Sequence, residues 1–141
     1  MERKTTETAI RIMYNGSGFS EKAIDYYALK PHMGILPNAD QVSGMTGTCG
    51  DTMEIYLEVK DGLITDAKYD VMGCIGAVSA AMAVVDLIKG KPLDCAETIG
   101  DSEVFYMLEE IPEEKHHCIQ LAVKTLHKAL HEYKQNHSAM P

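Results

Sequence analysis

The sequence predicts an α+β fold, a small antiparallel sheet of about three strands with helices packed on one face. Three observations point there. Met53, Ile55, Leu57 and Val59 alternate with Thr52, Glu54, Tyr56, Glu58 and Lys60, the period-two pattern of a half-covered strand. Asp61-Gly62 then signals a tight hairpin, and a return strand over about residues 64–71 puts Ala67, Tyr69 and Val71 on one face. Beyond it the apolar spacing becomes helical. A polar face on each strand means that the sheet is covered on one side, as antiparallel sheets allow.

The elements follow in order. Residues 1–18 are polar and end in Asn15-Gly16-Ser17-Gly18, which reads as a flexible N-terminal arm and turn. Ser20 is placed to cap a short helix over 21–29, with Ala23, Ile24 and Tyr27 on its apolar side and Pro31 as its stop. Residues 31–50 hold Pro31, Gly34, Pro37, Gly44, Gly47 and Gly50, so loop is expected, with one short strand near Val42. After the hairpin, Gly73 ends the return strand. Cys74 to Lys89 is expected as an Ala-rich helix ended by Gly90 and Pro92. A helical turn over 94–99 and a helix over 102–109 capped by Asp101 come next. Pro112 breaks the chain. The last helix, 117–133, carries the stripe Ile119, Val123, Leu126 and Leu130. The expected division is arm 1–18, one domain 19–134 and a polar tail 135–141.

Length and charge bound the function. A chain of 141 residues suggests one domain, and a domain of this size buries about two-thirds of its unfolded surface, enough for a core without staples. The net charge of −8 argues against phosphate-backbone binding and against an anionic membrane surface as partner. No apolar run approaches the length of a membrane span. The first eight residues hold no apolar signal core and carry acids, so the expected compartment is the cytoplasm. Four cysteines there read as thiols or ligands rather than disulfides.

Those cysteines stand at 49, 74, 95 and 118, and no pair has Cys-x-x-Cys spacing. Their local context says more. Cys49 lies in a glycine-rich loop before the first strong strand, Cys74 at a strand-to-helix junction, and Cys118 at the start of the last helix. A helix N-terminus favours thiolate, the form that binds metal or attacks sulfur. The plainer alternative is three incidental thiols, with Asp51 a turn carboxylate and His117 a surface imidazole. Cys95 reads as structural, the acids at 109, 110, 113 and 114 as a solvated run, His116, His127, His131 and His137 as exposed, and the methionines as core.

Three fragments taken in order narrow this. Cys49-Gly50-Asp51, then Tyr69-Asp70-Val71-Met72-Gly73-Cys74, then Lys115-His116-His117-Cys118 resemble the IscU / NifU N-terminal family of iron–sulfur cluster assembly scaffolds. The likeness runs from about Ser20 to Tyr133 and includes Ser20-Glu21-Lys22 and Lys89-Gly90-Lys91-Pro92-Leu93-Asp94. The resemblance implies a scaffold rather than an enzyme. It would take sulfur from a cysteine desulfurase and iron from an iron donor, hold a transient [2Fe–2S] cluster, and pass it to apo-proteins. It implies Cys49, Asp51, Cys74, His117 and Cys118 as the cluster and metal ligands, with Zn2+ able to occupy the same site. Lys115 beside them reads equally as an ordinary lysine or as a tuning group. The protein would be a monomer or a cluster-dependent dimer.

From below, thiolates are the standard cluster ligands, and a carboxylate is a harder, weaker ligand that favours release. The alternative reading is a zinc-bound, SufU-like sulfur acceptor that stimulates a desulfurase. A Cys/His hydrolase is disfavoured because His117 and Cys118 are sequence neighbours on one helix. A structural zinc domain is disfavoured by the size of the core. Housekeeping family members carry Leu-Pro-Pro-Val-Lys before the His-Cys pair as a handle for a dedicated Hsp70. Here Ile111-Pro112-Glu113-Glu114-Lys115 puts two acids into that handle, which argues against the usual handoff. The SufU branch has a longer segment between its second and third cysteines and lacks the histidine. This chain has His117 and no such insertion, which places it on the IscU/NifU side.

Overall fold

Ser20 serves two elements at once. Its Oγ accepts the Ala23 amide at 3.0 Å, capping helix α2 (Glu21–Leu29), and its own amide donates to the Glu110 carbonyl at 2.8 Å. The computed structural model describes residues 2–48 and 50–137, with side chains from residue 6 onward. Ahead of α2 stands helix α1 (Glu2–Tyr14), where the sequence predicts a loose arm. The correction has a tertiary cause. Arg11 pairs with Glu7 at 2.6 Å one turn back and also with Asp25 of α2. Tyr14 sets its ring edge-on to Tyr27, centroids 5.8 Å apart. Only the Glu7–Arg11 pair, at i,i+4 spacing, is a local helix signal; Asp25 and Tyr27 lie in another element.

The sheet is an antiparallel meander in the order β1 (Gln41–Thr46), β2 (Thr52–Lys60) and β3 (Leu63–Met72). Asp61 and Gly62 join β2 to β3 at φ 52° and 78°. Two successive positive φ values make the turn that Asp-Gly favours. Register sets Thr52 against Met72 and Ile55 against Tyr69. Met53, Ile55 and Leu57 are buried on the helix side, while Thr52 and Glu54 are exposed on the other. Tyr56 departs from this alternation. It points to the open side yet is 8% exposed, set between its cross-strand neighbours Val42 and Lys68. The outer edge of β3 is closed by residues 32–34, whose backbone exchanges hydrogen bonds with Tyr69 at 3.0 and 2.8 Å.

Helix α3 (Ile75–Ile88) is the centre of the molecule. Residues 75–85 and Ile88 are all buried, so it is apolar around its whole girth rather than on one stripe. Gly76, Ala77, Ala80, Ala81 and Ala83 keep it thin enough for α2 and β3 to approach. Of its two polar side chains, Ser79 is buried and donates to the Ala23 carbonyl at 2.7 Å, while Asp86 near the C-terminal end is exposed. Helix α4 (Leu93–Glu97) and helix α5 (Asp101–Leu108) follow. The sequence predicts Asp101 as the cap of α5. Instead Gly100 holds that position, and Glu103 reaches back to accept its amide at 2.7 Å. Glu109 leaves the helix at φ 71°, and a turn of 3-10 helix (Glu113–Lys115) leads into helix α6 (His116–His137). That helix extends past the expected tail boundary at 135, and residues 138–141 lie outside the described ones.

Helices α3 and α6 cover the apolar face of the sheet. Tyr69, Met53, Ile55, Leu57, Met82 and Leu126 fill the space between them. The Tyr69 hydroxyl crosses this core to donate to the Ala122 carbonyl of α6 at 3.0 Å. The methionines divide, against the expectation of a core role for all. Met53 and Met82 are buried, whereas Met13 and Met72 are 69% and 78% exposed.

Candidate metal centre

Three separate elements end at one place. Asp51 directly precedes β2, Cys74 follows β3 and stands at the N-cap position of α3, and Cys118 lies in the first turn of α6. The β2–β3 register brings the first two together. With Thr52 opposite Met72, the next residues outward are Asp51 and Gly73. A Cβ on Gly73 would sit 2.8 Å from Asp51 Cγ, and one on Gly76 would sit 3.1 Å from Cys118 Sγ. The two glycines flanking the Cys74 turn therefore leave the volume that the carboxylate and the second thiol occupy.

Cys74 Sγ lies 3.6 Å from Asp51 Oδ2 and 3.8 Å from Cys118 Sγ. All three ligand atoms fall within 4.8 Å of one another. Two thiolates bound at about 2.3 Å to one tetrahedral ion would stand about 3.8 Å apart, so the spacing suits a shared metal. The donor set, two sulfurs and a carboxylate, suits iron or zinc equally. Cys118 is 1% exposed, whereas Cys74 and Asp51 are half-buried, so the group is reached from the Cys74 side.

Two basic groups border it. Lys115 Nζ is 3.7 Å from Cys74 Sγ. The charge of Cys74 holds this ammonium above its ordinary range; partial burial opposes the effect, and Cys118 and Asp51 reinforce it. His117 Nε2 lies 3.6 Å from Cys118 Sγ, but outside the group of three mutually close ligand atoms. Cys49 lies outside the described residues.

The remaining candidates separate from the site. Cys95, expected as a structural thiol, is exposed on α4. His116, expected as exposed, is half-buried and meets Phe105 edge-on, ring centroids 5.1 Å apart, beside a recess of about 290 Å3 between α5 and α6. His127, His131, His137 and the four acids of the 109–114 run are exposed as expected. Sequence reasoning missed Tyr27. Burial, then Tyr14, then the nearby charge of Cys74 raise its phenol above the ordinary range. It also missed the spatial role of Gly73 and Gly76, although glycines on either side of a cysteine at a strand-to-helix turn are a usable signal.

Residues 18–140 match the family model described as NifU-like N terminal domain. The chain belongs to this family. This NifU-like N-terminal domain is 36% identical over 126 residues to the iron–sulfur cluster assembly scaffold protein IscU of Escherichia coli strain K12, covering 86% of this chain and 98% of that one. It is 34% identical over 117 residues to IscU 1 of Archaeoglobus fulgidus, covering 82% of this chain and 76% of that one. Among solved structures it resembles a protein described as an iron–sulfur cluster assembly scaffold for the SUF system of Fervidobacterium islandicum AW-1. That match has a TM-score of 0.67 at 22% identity, over 79% of this chain and 96% of the other. The N-terminal part of a NifU-like protein from Brucella abortus gives the same TM-score at 17% identity, over 82% and 94%. The fold expected from the sequence is therefore the one observed: a three-stranded antiparallel sheet with helices on one face, shared with NifU-type scaffolds. No helix among the described residues is long and apolar enough to cross a membrane.

Proposed function

We propose that this protein is a scaffold on which a [2Fe–2S] cluster is assembled from iron and desulfurase-derived sulfur and then passed to apo-proteins. The observation that carries the reading is the group Asp51, Cys74 and Cys118, three donors from three element ends with spacing suited to a shared metal. The cluster is cargo, and the chain's own groups are arranged to hold and release it. Cys74 and Cys118 supply thiolates, with Cys49 from the adjoining loop and His117 as further ligands. Asp51 is the weak ligand that makes the set labile. Lys115 steadies the negative charge of Cys74 and Asp51 before loading. The protein acts in the cytoplasm as carrier rather than enzyme, with a desulfurase, an iron donor and apo-acceptors as partners.

Anaerobic reconstitution with iron, cysteine and a cysteine desulfurase tests this, read by visible absorption and Mössbauer spectra. A [2Fe–2S] chromophore is expected that requires Cys49, Cys74 and Cys118, tolerates Cys95→Ser, and moves to an apo-ferredoxin. Asp51→Ala is expected to slow that transfer, and an unchanged rate removes Asp51 from the release step. A tightly held zinc with no cluster, together with a stimulated desulfurase, would instead make the protein a sulfur acceptor.

A further inference from the structure

The sheet face that the helices leave open carries a charge pattern that costs stability. Register pairs Glu54 with Asp70 and Glu58 with Asp66 directly across β2 and β3. Like charges directly opposite one another destabilise a sheet. The pair farther from the cysteines is relieved, because Lys89 meets Asp66 at 3.2 Å and the Thr65 hydroxyl donates to Glu58 at 2.7 Å. Among the described residues the nearer pair receives only the Tyr56 hydroxyl, which donates to Glu54 at 3.3 Å, and no cation. Glu54 and Asp70 are both exposed, and among the described residues no ion pair engages either. Lys128 borders the same recess but directs its ammonium to the Gly44 carbonyl at 2.7 Å. Burial, then the charge of Glu54 and the hydrogen bond to it, then the charge of Asp70 raise the Tyr56 phenol.

An open recess of about 650 Å3 lies beside this pair, lined by Met45, Glu54, Asp70 and Met72 among others. Met72 is 78% exposed, an adaptable apolar side chain in an acidic rim. It stands two residues before Cys74, and its register partner Thr52 directly follows Asp51. Along both strands the recess therefore ends next to the residues that carry Asp51 and Cys74.

We propose that this face docks the cysteine desulfurase, through a lysine- and arginine-rich surface of that partner with an apolar socket for Met72. The inference rests on the scaffold reading above. Charge complementarity selects the occupant: the Glu54–Asp70 pair, which no cation neutralises among the described residues, is repaired by a basic surface, and a second copy, at net charge −8, would bring the same acids. Position selects the sulfur donor, because a donor must approach a thiol, and Cys74 is the half-buried one beside this face while Cys118 is closed off.

The test is calorimetric titration with the cysteine desulfurase of the same organism at low and high salt. Glu54→Lys places a cation opposite Asp70, so thermal stability is expected to rise while binding at low salt weakens about tenfold or more. High salt should narrow that difference, and Met72→Gln should weaken binding at both salt levels. The doubly reversed Glu113→Lys/Glu114→Lys variant, on the separate acidic turn, should stay within about twofold of the unaltered protein. An unchanged Kd for Glu54→Lys, an equal or greater loss in the Glu113/Glu114 variant, or no binding by the unaltered protein overturns the docking face. Cluster assembly fed with inorganic sulfide needs no docking. Its success with Glu54→Lys keeps the scaffold reading whatever the titration shows, and its failure in the unaltered protein removes that reading independently.

Discussion

Gly73 and Tyr69 show how single side chains set this site from opposite directions. Gly73 acts by having no Cβ, since one would fall 2.8 Å from Asp51 Cγ. Gly73→Ala is therefore expected to push the carboxylate out of reach of Cys74 while leaving the core intact. Far-ultraviolet circular dichroism should be unchanged, and Zn2+ affinity by competition titration should fall about 10-fold or more, the size of effect seen when a metal ligand is mis-set. Tyr69 acts by reaching across the core to Ala122. Tyr69→Phe should lower unfolding stability by about 1 kcal/mol. It should also change the alkaline limit. Burial raises the Tyr69 phenol far above its ordinary value, whereas in the unfolded chain it titrates near about pH 10. The folded state keeps a proton that the unfolded state loses, so stability falls as pH rises above that value. Tyr26, raised by burial and by the Asp86 carboxylate that accepts its hydroxyl, adds to the same slope. Urea unfolding of Tyr69→Phe should show a shallower decline above about pH 10.

Among the elements, legibility in the sequence tracks how local each cause is. The β2–β3 hairpin is written in alternation and Asp-Gly, and α6 in a stripe of period 3.6, so both stand where expected. Helix α1 is written nearby only in the i,i+4 pair Glu7–Arg11. It is held by Arg11 to Asp25 and by Tyr14 to Tyr27, partners 14 and 13 residues away that nothing in the segment announces. Arg11→Ala is expected to lower amide-exchange protection over residues 7–14 and leave α3 unchanged; equal loss in both helices would mean that α1 belongs to the global unfolding unit. The site divides in the same way. Asp51, Cys74 and Cys118 were visible as motif fragments at element ends. The steric role of Gly73 appears only once β2 and β3 are paired, because it depends on register.

At the scale of the whole molecule, the core closes without the site. Tyr69, Met53, Met82, Leu126 and their neighbours lie between sheet and helices, and no buried polar side-chain atom among the described residues lacks a partner. Removing metal with a chelator is therefore expected to leave circular dichroism unchanged and to lower unfolding stability, read as a fall in Tm, by the binding contribution alone, about 4 kcal/mol at a thousandfold excess over Kd. Complete unfolding on chelation would show that the fold depends on the ion.

The all-apolar girth of α3 has a consequence for release. A rod packed on every side can neither rotate nor slide without opening voids throughout the interior. Cys74, at its tip, is in effect the fixed jaw of a vice. On the proposed reading, the movement that lets the cargo go comes from the opposing jaw, Asp51 and the Lys115–His117 corner, none of which is fully buried.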